Sequence, residues 1–291
     1  MHEAAGRFFG EQPMRSIPLL MSLGLAFAAA PALAQGSAPV KPEMYESCPG
    51  LVARNSLPAM PAAFRLAALK EGEVRINYIG HSTFLIESPK LVRIATDFND
   101  YVKPPILPDI VTMNRAHSTH FTDRPDPGIK FVLRGWKEDG KPAGHDVQVQ
   151  DVRVRSVATN IRDYYGGSGP ARHGNSIFIF EVANLCIAHL GHLHHTLNQQ
   201  QLNEIGRVDV VLVPIDGGAT LDLEGMVEVL TALRAPLMIP MHFFSTYTLN
   251  RFTERLSKDW DIQMAEVPSV VVSKHTLPTK PKVLVLPGRA F

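Results

Sequence analysis

Histidines are concentrated in one short segment of the chain. Four of the 12 histidines in the 291-residue sequence lie within seven residues, at His189, His192, His194 and His195. They follow an apolar, β-rich stretch, Ser176–Ala188. Neutral imidazole is a good ligand for Zn²⁺ and its transition-metal neighbours, and a loop at the end of a strand can hold it in a cleft. The pattern indicates a metal site or, alternatively, a His-rich loop without function.

Two other segments place histidines directly after apolar, strand-like stretches. His117 and His120 follow Asp109–Met113, and His242 follows Pro236–Met241. Three independent strand ends favour one shared site, because converging buried imidazoles need a metal ion or protons to offset the cost of their burial. We therefore expect histidines from all three segments to meet at the edge of a sheet.

The elements that position these histidines are mostly strands early in the chain and alternating strands and helices later. Period-two or apolar β-rich segments predict strands, and helical spacing predicts helices. The predicted strands are 74–79, 82–87, 91–96, 109–113, 147–157, 176–188, 208–215, 236–241, 269–272 and 283–286; the predicted helices are 198–205, 221–233 and 249–258. This order indicates an α/β sandwich of mixed sheets.

The start of the chain predicts a secretory signal rather than folded structure. Arg7 and Arg15 precede the apolar run Ile17–Ala30, and Ala32-Leu-Ala34 has the form of a cleavage site. The run is too short to span a bilayer comfortably, so we expect no stable membrane anchor after cleavage. Residues 1–34 are thus assigned to the signal, 35–70 to an extended lead-in and 71–291 to one domain. An exported protein, in a bacterial periplasm or secreted, follows from this assignment.

Composition and charge limit the function classes. Apolar residues make up 45% and charged residues 20% of the chain, and the net charge is +1. These are ordinary globular values with no basic patch, so we expect no nucleic-acid partner. Cys48 and Cys186 are too few for a disulfide framework; burial of Cys186 favours a free thiol, and an oxidising compartment allows a pair. The oligomeric state is left open.

Several segments resemble a known family. The chain is similar to metallo-β-lactamase-fold hydrolases, in the branch of L-ascorbate-6-phosphate lactonase and the N-acyl-phosphatidylethanolamine phospholipase D type enzymes. The similar segments are Ile79–Ile86, Ala95–Asp97, Asn175–Glu181, His189–His195, Val208–Gly218, Thr220–Asp222 and Ile239–His242. They occur in the family's order over about residues 73–245. The resemblance implies a metallo-β-lactamase-type αβ/βα sandwich of two mixed sheets with outer helices.

The resemblance also implies a set of metal ligands. His117, His120 and His189 would bind a first metal and His242 a second, and Asp123 would match the aspartate of the family's His-x-His-x-Asp-His motif. That motif is stretched in this chain. The ions implied are one or two Zn²⁺, with Mn²⁺ as the alternative.

Two positions depart from the family pattern. His192 stands where the family has a bridging Asp, as a substitute ligand, and Arg124 stands where it has a second-site His. An imidazole offers one lone pair to one metal, whereas a carboxylate can join two, so we expect one metal rather than two. His81 is expected to tune the pocket or to serve only as a turn residue.

The implied activity is that of an exported metal-dependent hydrolase. Hydroxide held by the metal would attack an ester, lactone, phosphodiester or amide bond of a small-molecule substrate, with Asp123 orienting the water. Arg124 would bind an anionic substrate or else pair with a surface aspartate, and Tyr165 and His173 would line the pocket from a glycine-rich loop. The alternative is a non-hydrolytic metal-binding protein that keeps the fold with an altered site.

Overall fold

The computed structural model describes residues 68–162 and 171–288. The predicted signal and lead-in up to residue 67, together with Cys48 and Tyr165, lie outside the described residues. The described strands are β1 (Glu73–Gly80), β2 (Thr83–Glu87), β3 (Arg93–Ala95), β4 (Ile110–Met113), β5 (Phe131–Arg134), β6 (Asp146–Val149), β7 (Val152–Ile161), β8 (Ala171–Val182), β9 (Leu185–His189), β10 (Val210–Pro214), β11 (Leu237–Met241), β12 (Asp261–Met264), β13 (Ser269–Ser273) and β14 (Lys282–Val285). The described α-helices are α1 (Gln199–Ile205), α2 (Leu223–Leu233) and α3 (Thr246–Leu256).

The strands form two mixed sheets, which confirms the predicted fold class. Sheet A has the order β13-β1-β2-β3-β4-β5, and sheet B has the order β12-β14-β11-β10-β9-β8-β7-β6. In sheet A, β4 is parallel to its neighbours β3 and β5. In sheet B, five adjacent strands are parallel to one another: β9, β10, β11, β14 and β12. The other pairings are antiparallel.

Sheet B is covered on both faces, which explains why its strands are apolar at successive positions. On β8, Phe178 and Phe180 point into a core shared with sheet A, whereas Ile177 and Ile179 belong to a second core. All three described α-helices bury their apolar residues in that second core. The helix layer therefore lies on the outer face of sheet B, and the inter-sheet core lies on its inner face.

Helix boundaries follow from side-chain caps. Asn198 precedes α1 and forms a reciprocal capping box with Gln201, so the predicted helix at 198–205 is confirmed with Asn198 as its cap. Asp222 caps α2 by accepting a hydrogen bond from the backbone N–H of Gly225, and Ser245 caps α3 in the same way through Thr248. Within the described residues no helix combines the length and apolar character needed to cross a membrane.

Several sequence predictions differ from the structure. The segment 176–188, predicted as one strand, covers the turn between β8 and β9, where Ala183 and Asn184 adopt left-handed conformations (φ 51° and 62°) and reverse the chain. Strand β5 was not among the predicted strands. The alternating segment 147–157, predicted as one strand, is a hairpin, because Gln150 adopts a left-handed conformation (φ 51°) and reverses the chain between β6 and β7. Strand β12 was not predicted; its four residues are exposed, and the two apolar ones, Ile262 and Met264, make too short an alternation to stand out. Cys186, for which a free thiol was favoured, is buried in β9 and disulfide-bonded.

Candidate metal centre

Four histidines converge at the edge where strands of both sheets end. His117 and His120 lie in the loop after β4, and His242 directly follows β11. His81 lies in the turn between β1 and β2. Each of the four can offer one ring nitrogen such that these nitrogens all lie within 4.8 Å of one another. The site thus takes three residues from sheet A and one from sheet B.

His120 lies at the middle of this group. Its Nε2 is 3.3 Å from Nε2 of His81 and 3.2 Å from Nε2 of His242. His81, His120 and His242 are buried, whereas His117 is exposed. The cluster therefore has a buried base and one open side, as a site that admits substrate requires.

Two carboxylates fix the orientation of two of these rings. Asp97 Oδ2 is 2.6 Å from Nδ1 of His120, and Asp216 Oδ2 is 2.9 Å from Nδ1 of His242. A carboxylate that accepts the Nδ1 proton leaves the lone pair of the imidazole on Nε2. Carboxylate–histidine pairs of this kind hold metal-binding imidazoles in proteins. Both lone pairs consequently point into the cluster.

The donor set fits a bound cation. Two Nε2 lone pairs that face each other at 3.2 Å, on His120 and His242, repel unless a metal ion or a proton lies between them. Burial alone would raise the pKa of Asp216, but hydrogen bonds from His242 and Thr220 outweigh it and lower the pKa below its usual value, which keeps Asp216 ionised. Imidazole nitrogens are good ligands for zinc and related transition metals.

The electrostatics of the buried pair Asp97 and His120 lead to the same conclusion. Burial raises the pKa of Asp97 and lowers the pKa of His120 well below its ordinary value. The pair on its own therefore lacks a positive charge, and a cation on Nε2 of His120 would supply it. Burial also lowers the pKa of His81 to about 3, so this imidazole is neutral and able to bind a metal at neutral pH.

The backbone around the site is held in an uncommon conformation. His81, Asp97 and His242 have φ values of 52°, 40° and 54°, in the left-handed region that non-glycine residues seldom occupy. Hydrogen bonds maintain this geometry: the carbonyl of His81 accepts one from the backbone N–H of His242 at 2.8 Å and one from the hydroxyl of Tyr78 at 2.8 Å. Such local strain persists only where the surrounding structure enforces it.

Two asparagines connect this site to both sheets. The side chain of Asn114 donates to Asp97 Oδ1 and accepts from the backbone N–H of Ser176 on β8. The side-chain Oδ1 of Asn175 accepts from the backbone N–H of His192 at 2.8 Å. Gly191 packs against both amides, and a Cβ at this position would lie 2.4 Å from each. The loop after β9 therefore requires glycine there.

His189, predicted as a metal ligand, has a different position in the structure. Its Nε2 donates to the carbonyl of Ser82 at 2.9 Å, and its Nδ1 accepts from the backbone N–H of Gly191 at 3.2 Å. Both ring nitrogens are thus used in hydrogen bonds, and the side chain is fully buried between the sheets. His189 is not among the four histidines whose ring nitrogens converge, and in this structure its hydrogen bonds hold it between the sheets.

The remaining predicted residues are distributed in and around the site. His192 is buried beside the cluster, with its Nε2 3.2 Å from Nε2 of His117. Asp123 and Arg124 are exposed, and among the described contacts none joins them to the cluster. His173 lies in β8, where its backbone N–H donates to Asn160, and no contact described for residues 68–162 and 171–288 joins it to the histidines. The water-orienting role predicted for Asp123 gains no support from this placement.

The sequence interpretation missed two residues that support the ligands, and it undervalued a third. Asp97 and Asp216 closely follow the buried strands β3 and β10, which is the same signal that identified the histidines. His81 was expected to tune the pocket or to fill a turn, whereas the structure includes it in the cluster. The Gly-His sequence at that turn carried no separate indication that the imidazole points inward.

Comparisons with known proteins agree with this architecture. A UPF0173 metal-dependent hydrolase of Thermoplasma volcanium is 27% identical over 193 residues, which cover 59% of this chain and 84% of that relative. A UPF0173 metal-dependent hydrolase of Methanoculleus marisnigri is 24% identical over 182 residues, covering 58% of this chain and 81% of that relative.

Solved structures show the same arrangement of sheets. A crystal structure of a proposed Zn-dependent hydrolase of the metallo-beta-lactamase superfamily from Thermotoga maritima superimposes with a TM-score of 0.54 at 25% identity, covering 74% of this chain and all of that one. A proposed metal-dependent hydrolase from Parabacteroides distasonis shares the fold, with a TM-score of 0.50 at 13% identity over 74% of this chain and 93% of that one. The model of the beta-lactamase superfamily domain matches residues 75–242, more than half of the chain, and the chain therefore belongs to that family.

Proposed function

We propose that this protein is a metal-dependent hydrolase whose metal is held by His81, His117, His120 and His242. One observation carries the proposal: the four imidazoles place ligand nitrogens within 4.8 Å of one another. Carboxylates behind two of the rings direct lone pairs toward the same point. Relatives that are named metal-dependent hydrolases support the same activity.

The bound metal would polarise a substrate carbonyl or phosphoryl oxygen and activate a water nucleophile. The residues of the chain prepare the site for this chemistry. Asp97 and Asp216 hold His120 and His242 in one tautomer, and Thr119 Oγ1 lies 2.8 Å from both Nε2 of His81 and Nδ1 of His117. Ligands that are fixed before the metal binds lose little freedom on binding, so they contribute to affinity.

Zinc is the metal that we propose, with manganese as the alternative. All four candidate ligands are imidazoles, which zinc binds readily, whereas manganese favours carboxylate and other oxygen donors. The number of ions follows from the ligands: four nitrogens at one place complete a tetrahedral zinc site, and an open catalytic position would require one of them to yield.

The substrate proposed is a small molecule with an ester, lactone, phosphodiester or amide bond. An apolar surface beside the histidines supports a substrate with an apolar portion. Phe244 is 64% exposed, and its ring centroid lies 5.2 Å from that of His242 and 5.7 Å from that of His81. An exposed aromatic ring at the edge of the site can pack against an acyl chain or an aromatic leaving group.

The test is a metal-loading and activity experiment on the purified protein. Metal content is measured by mass spectrometry, and turnover of lactone, phosphodiester, ester and amide substrates is measured with and without chelator. We expect tightly bound metal and a chelator-sensitive activity on at least one substrate. His117→Ala should lower both, while His275→Ala, at an exposed histidine outside the site, serves as the matched control.

The same experiment separates the hydrolase from the alternative. A non-hydrolytic metal-binding protein would retain stoichiometric metal and show no chelator-sensitive turnover on any substrate class. The departures at His192 and Arg124 are the observations that favour this alternative. Absence of both metal and activity from a folded protein would refute the two interpretations together.

Export is a further part of the proposal. Its support is the signal-like sequence that ends at Ala34 and the disulfide at Cys186, because stable disulfides are rare in the cytosol of most organisms. Mass spectrometry of the protein produced in bacterial cells would test it. We expect a mature N-terminus at Gln35 in the periplasmic fraction, and an uncleaved cytoplasmic chain would contradict export.

A further inference from the structure

His192 is a fifth histidine at this site, and its ring packs against those of three candidate ligands, His117, His120 and His242. It is 1% exposed, and its Nε2 lies 3.2 Å from Nε2 of His117. Its other ring nitrogen, Nδ1, lies 2.5 Å from Nε2 of His194. A neutral imidazole carries one proton, so the hydrogen bonds on the Nδ1 side determine what Nε2 can do on the metal side.

A backbone amide fixes the direction of these hydrogen bonds. The N–H of Arg162 donates to Nδ1 of His194 at 3.1 Å, so this nitrogen carries no proton. Neutral His194 therefore has its proton on Nε2 and donates it to Nδ1 of His192. The amide itself is held in place, because the guanidinium of Arg162 donates to the carbonyls of Gly218 and Thr220.

His192 must then carry its own proton on Nε2. A protonated nitrogen has no lone pair for a metal and acts only as a hydrogen-bond donor. We propose that His192 is a hydrogen-bond donor to the substrate, held in that tautomer by His194, beside a centre that binds one metal ion through the other four histidines. The substrate contact rests on the proposed hydrolase function, whereas the tautomer and the number of metal ions do not.

The hydrogen bonds beyond His192 follow the same order, in which each group accepts a proton from one neighbour and donates its own proton to the next. The N–H of His192 points at Nε2 of His117, which accepts it, so Nδ1 of His117 is protonated and donates to Thr119 Oγ1 at 2.8 Å. The hydroxyl of Thr119 is then free to donate to Nε2 of His81 at 2.8 Å. Together with His120 and His242, whose Nδ1 protons go to carboxylates, all four candidate ligands have an unprotonated Nε2. His192 alone among the five has an N–H there.

Metal binding changes the partner of His192. Once the lone pair of His117 is used by the metal, the N–H of His192 loses the acceptor that it has in the structure. A buried donor without a partner is unfavourable, and an oxygen that develops negative charge is its best replacement. The substrate class that this geometry favours has a carbonyl or phosphoryl oxygen at the scissile bond, and His192 then stabilises the charge that builds up on that oxygen.

The tautomer can be measured directly on the metal-free and the zinc-loaded protein. Long-range ¹H–¹⁵N correlation spectra of ¹⁵N-histidine-labelled protein distinguish protonated from unprotonated ring nitrogens. We expect His192 to show a protonated Nε2 in both forms, and Nε2 of His120 and His242 to shift on zinc addition. A zinc-induced shift of His192 Nε2 to the position of a metal-bound nitrogen would overturn the proposal.

Metal titrations of variants provide the second test. His192→Ala should keep one zinc ion per chain with a Kd within about threefold of the original, whereas His117→Ala should lose affinity by tenfold or more. Loss of zinc from a folded His192→Ala variant, comparable to that of His117→Ala, would show that His192 is a ligand. Both measurements are made without substrate, so they stand apart from the success or failure of the hydrolase assay.

Two further experiments test the role of His192 in activity and the role of His194 in positioning it. If a substrate is found, His192→Ala should lower kcat by about 100-fold or more, as loss of an oxyanion donor does, and His192→Gln, which restores an N–H donor, should recover part of it. His194→Ala should give His192 a mixture of tautomers in the NMR spectra without loss of zinc. His195→Ala is the matched control, because His195 also accepts a backbone N–H from β7, at Asn160, without contacting His192 in the described hydrogen bonds. An unmixed His192 tautomer in His194→Ala would refute the role of His194.

Discussion

Replacement of Asp97 by Asn tests whether the carboxylate behind His120 prepares the metal site. Asp97 Oδ1 accepts from Nδ2 of Asn114 at 3.0 Å, and Oδ2 accepts from Nδ1 of His120 at 2.6 Å. Asn114 cannot reverse its amide, because its oxygen already accepts from the backbone N–H of Ser176 at 2.7 Å. An asparagine at position 97 has one acceptor for these two donors, so one of its contacts becomes donor against donor.

The magnitude follows from what is lost. If the new amide faces His120 with its NH₂ group, the proton of the imidazole moves to Nε2 and removes the lone pair that we assign to the metal. If its oxygen faces His120, a charge-assisted hydrogen bond worth about 1.5–3 kcal/mol becomes a neutral one and Asn114 loses its acceptor. Because 1.4 kcal/mol corresponds to a factor of ten, we expect the metal Kd of Asp97→Asn to rise about 10- to 100-fold.

The assay is a competition titration of zinc between the protein and a chromogenic chelator at pH 7.5. Asp209→Asn is the matched control, since Asp209 is also buried and paired, with Lys274 and Arg207, but lies at the opposite end of β10. It should lower stability and leave the metal Kd unchanged. A Kd for folded Asp97→Asn within threefold of the original, or an equal rise in the control, would refute the reasoning.

Three other predictions concern stability. His189→Ala removes the bonds to Ser82 and Gly191, so in urea unfolding we expect a loss of about 2–4 kcal/mol with metal content unchanged; a folded variant without metal would restore His189 as a ligand. Gly191→Ala should cost about 2–4 kcal/mol because its Cβ meets two amides, whereas Gly140→Ala, at φ 71° with nothing within 4 Å, should cost only about 1 kcal/mol; equal losses would contradict the steric cause. In the metal-free protein, burial lowers the pKa of His81 from 6.5 in the unfolded chain to about 3. Between pH 6.5 and about pH 3 the unfolded chain therefore binds a proton on His81 that the folded protein does not bind. The free energy of unfolding consequently declines as the pH falls through this range. Unfolding measured at pH 7.5, 5.5 and 4.5 should show this decline less steeply in His81→Gln, and pH-independent stability would contradict it.

Much of the fold was accessible from the sequence because burial leaves a clear pattern. Strands such as β10 are apolar at successive positions since both faces of sheet B are covered. The hairpin of β6 and β7 was missed, although two consecutive polar residues, Gln150 and Asp151, shift the apolar positions from odd to even numbers at the reversal. Exposed edge strands such as β12 give no signal of this kind, since none of their side chains is buried.

The sequence indicated which strand ends carry the histidines of the site, but it did not indicate which way each imidazole ring faces. The segments that carry His117, His120 and His242 do meet, as the strand-end pattern predicted. His189 is the last residue of β9 and turns between the sheets, whereas His192, three residues later, points at the cluster. Which way each imidazole faces depends on left-handed residues and on contacts across the sheets, with Ser82 and Asn175, that no local pattern records.

The origin of the ligands in both sheets has a consequence for folding. His81, His117 and His120 lie in loops that connect strands of sheet A, and His242 directly follows a strand of sheet B, so an ion bound to all four would cross-link the two sheets. Because the unfolded chain does not preserve this arrangement, metal at 1,000 times its Kd adds about 4 kcal/mol to the free energy of unfolding. The midpoint of thermal unfolding therefore rises with the concentration of free metal. Where metal is scarce, the edge of the sandwich that carries the four histidines opens more often.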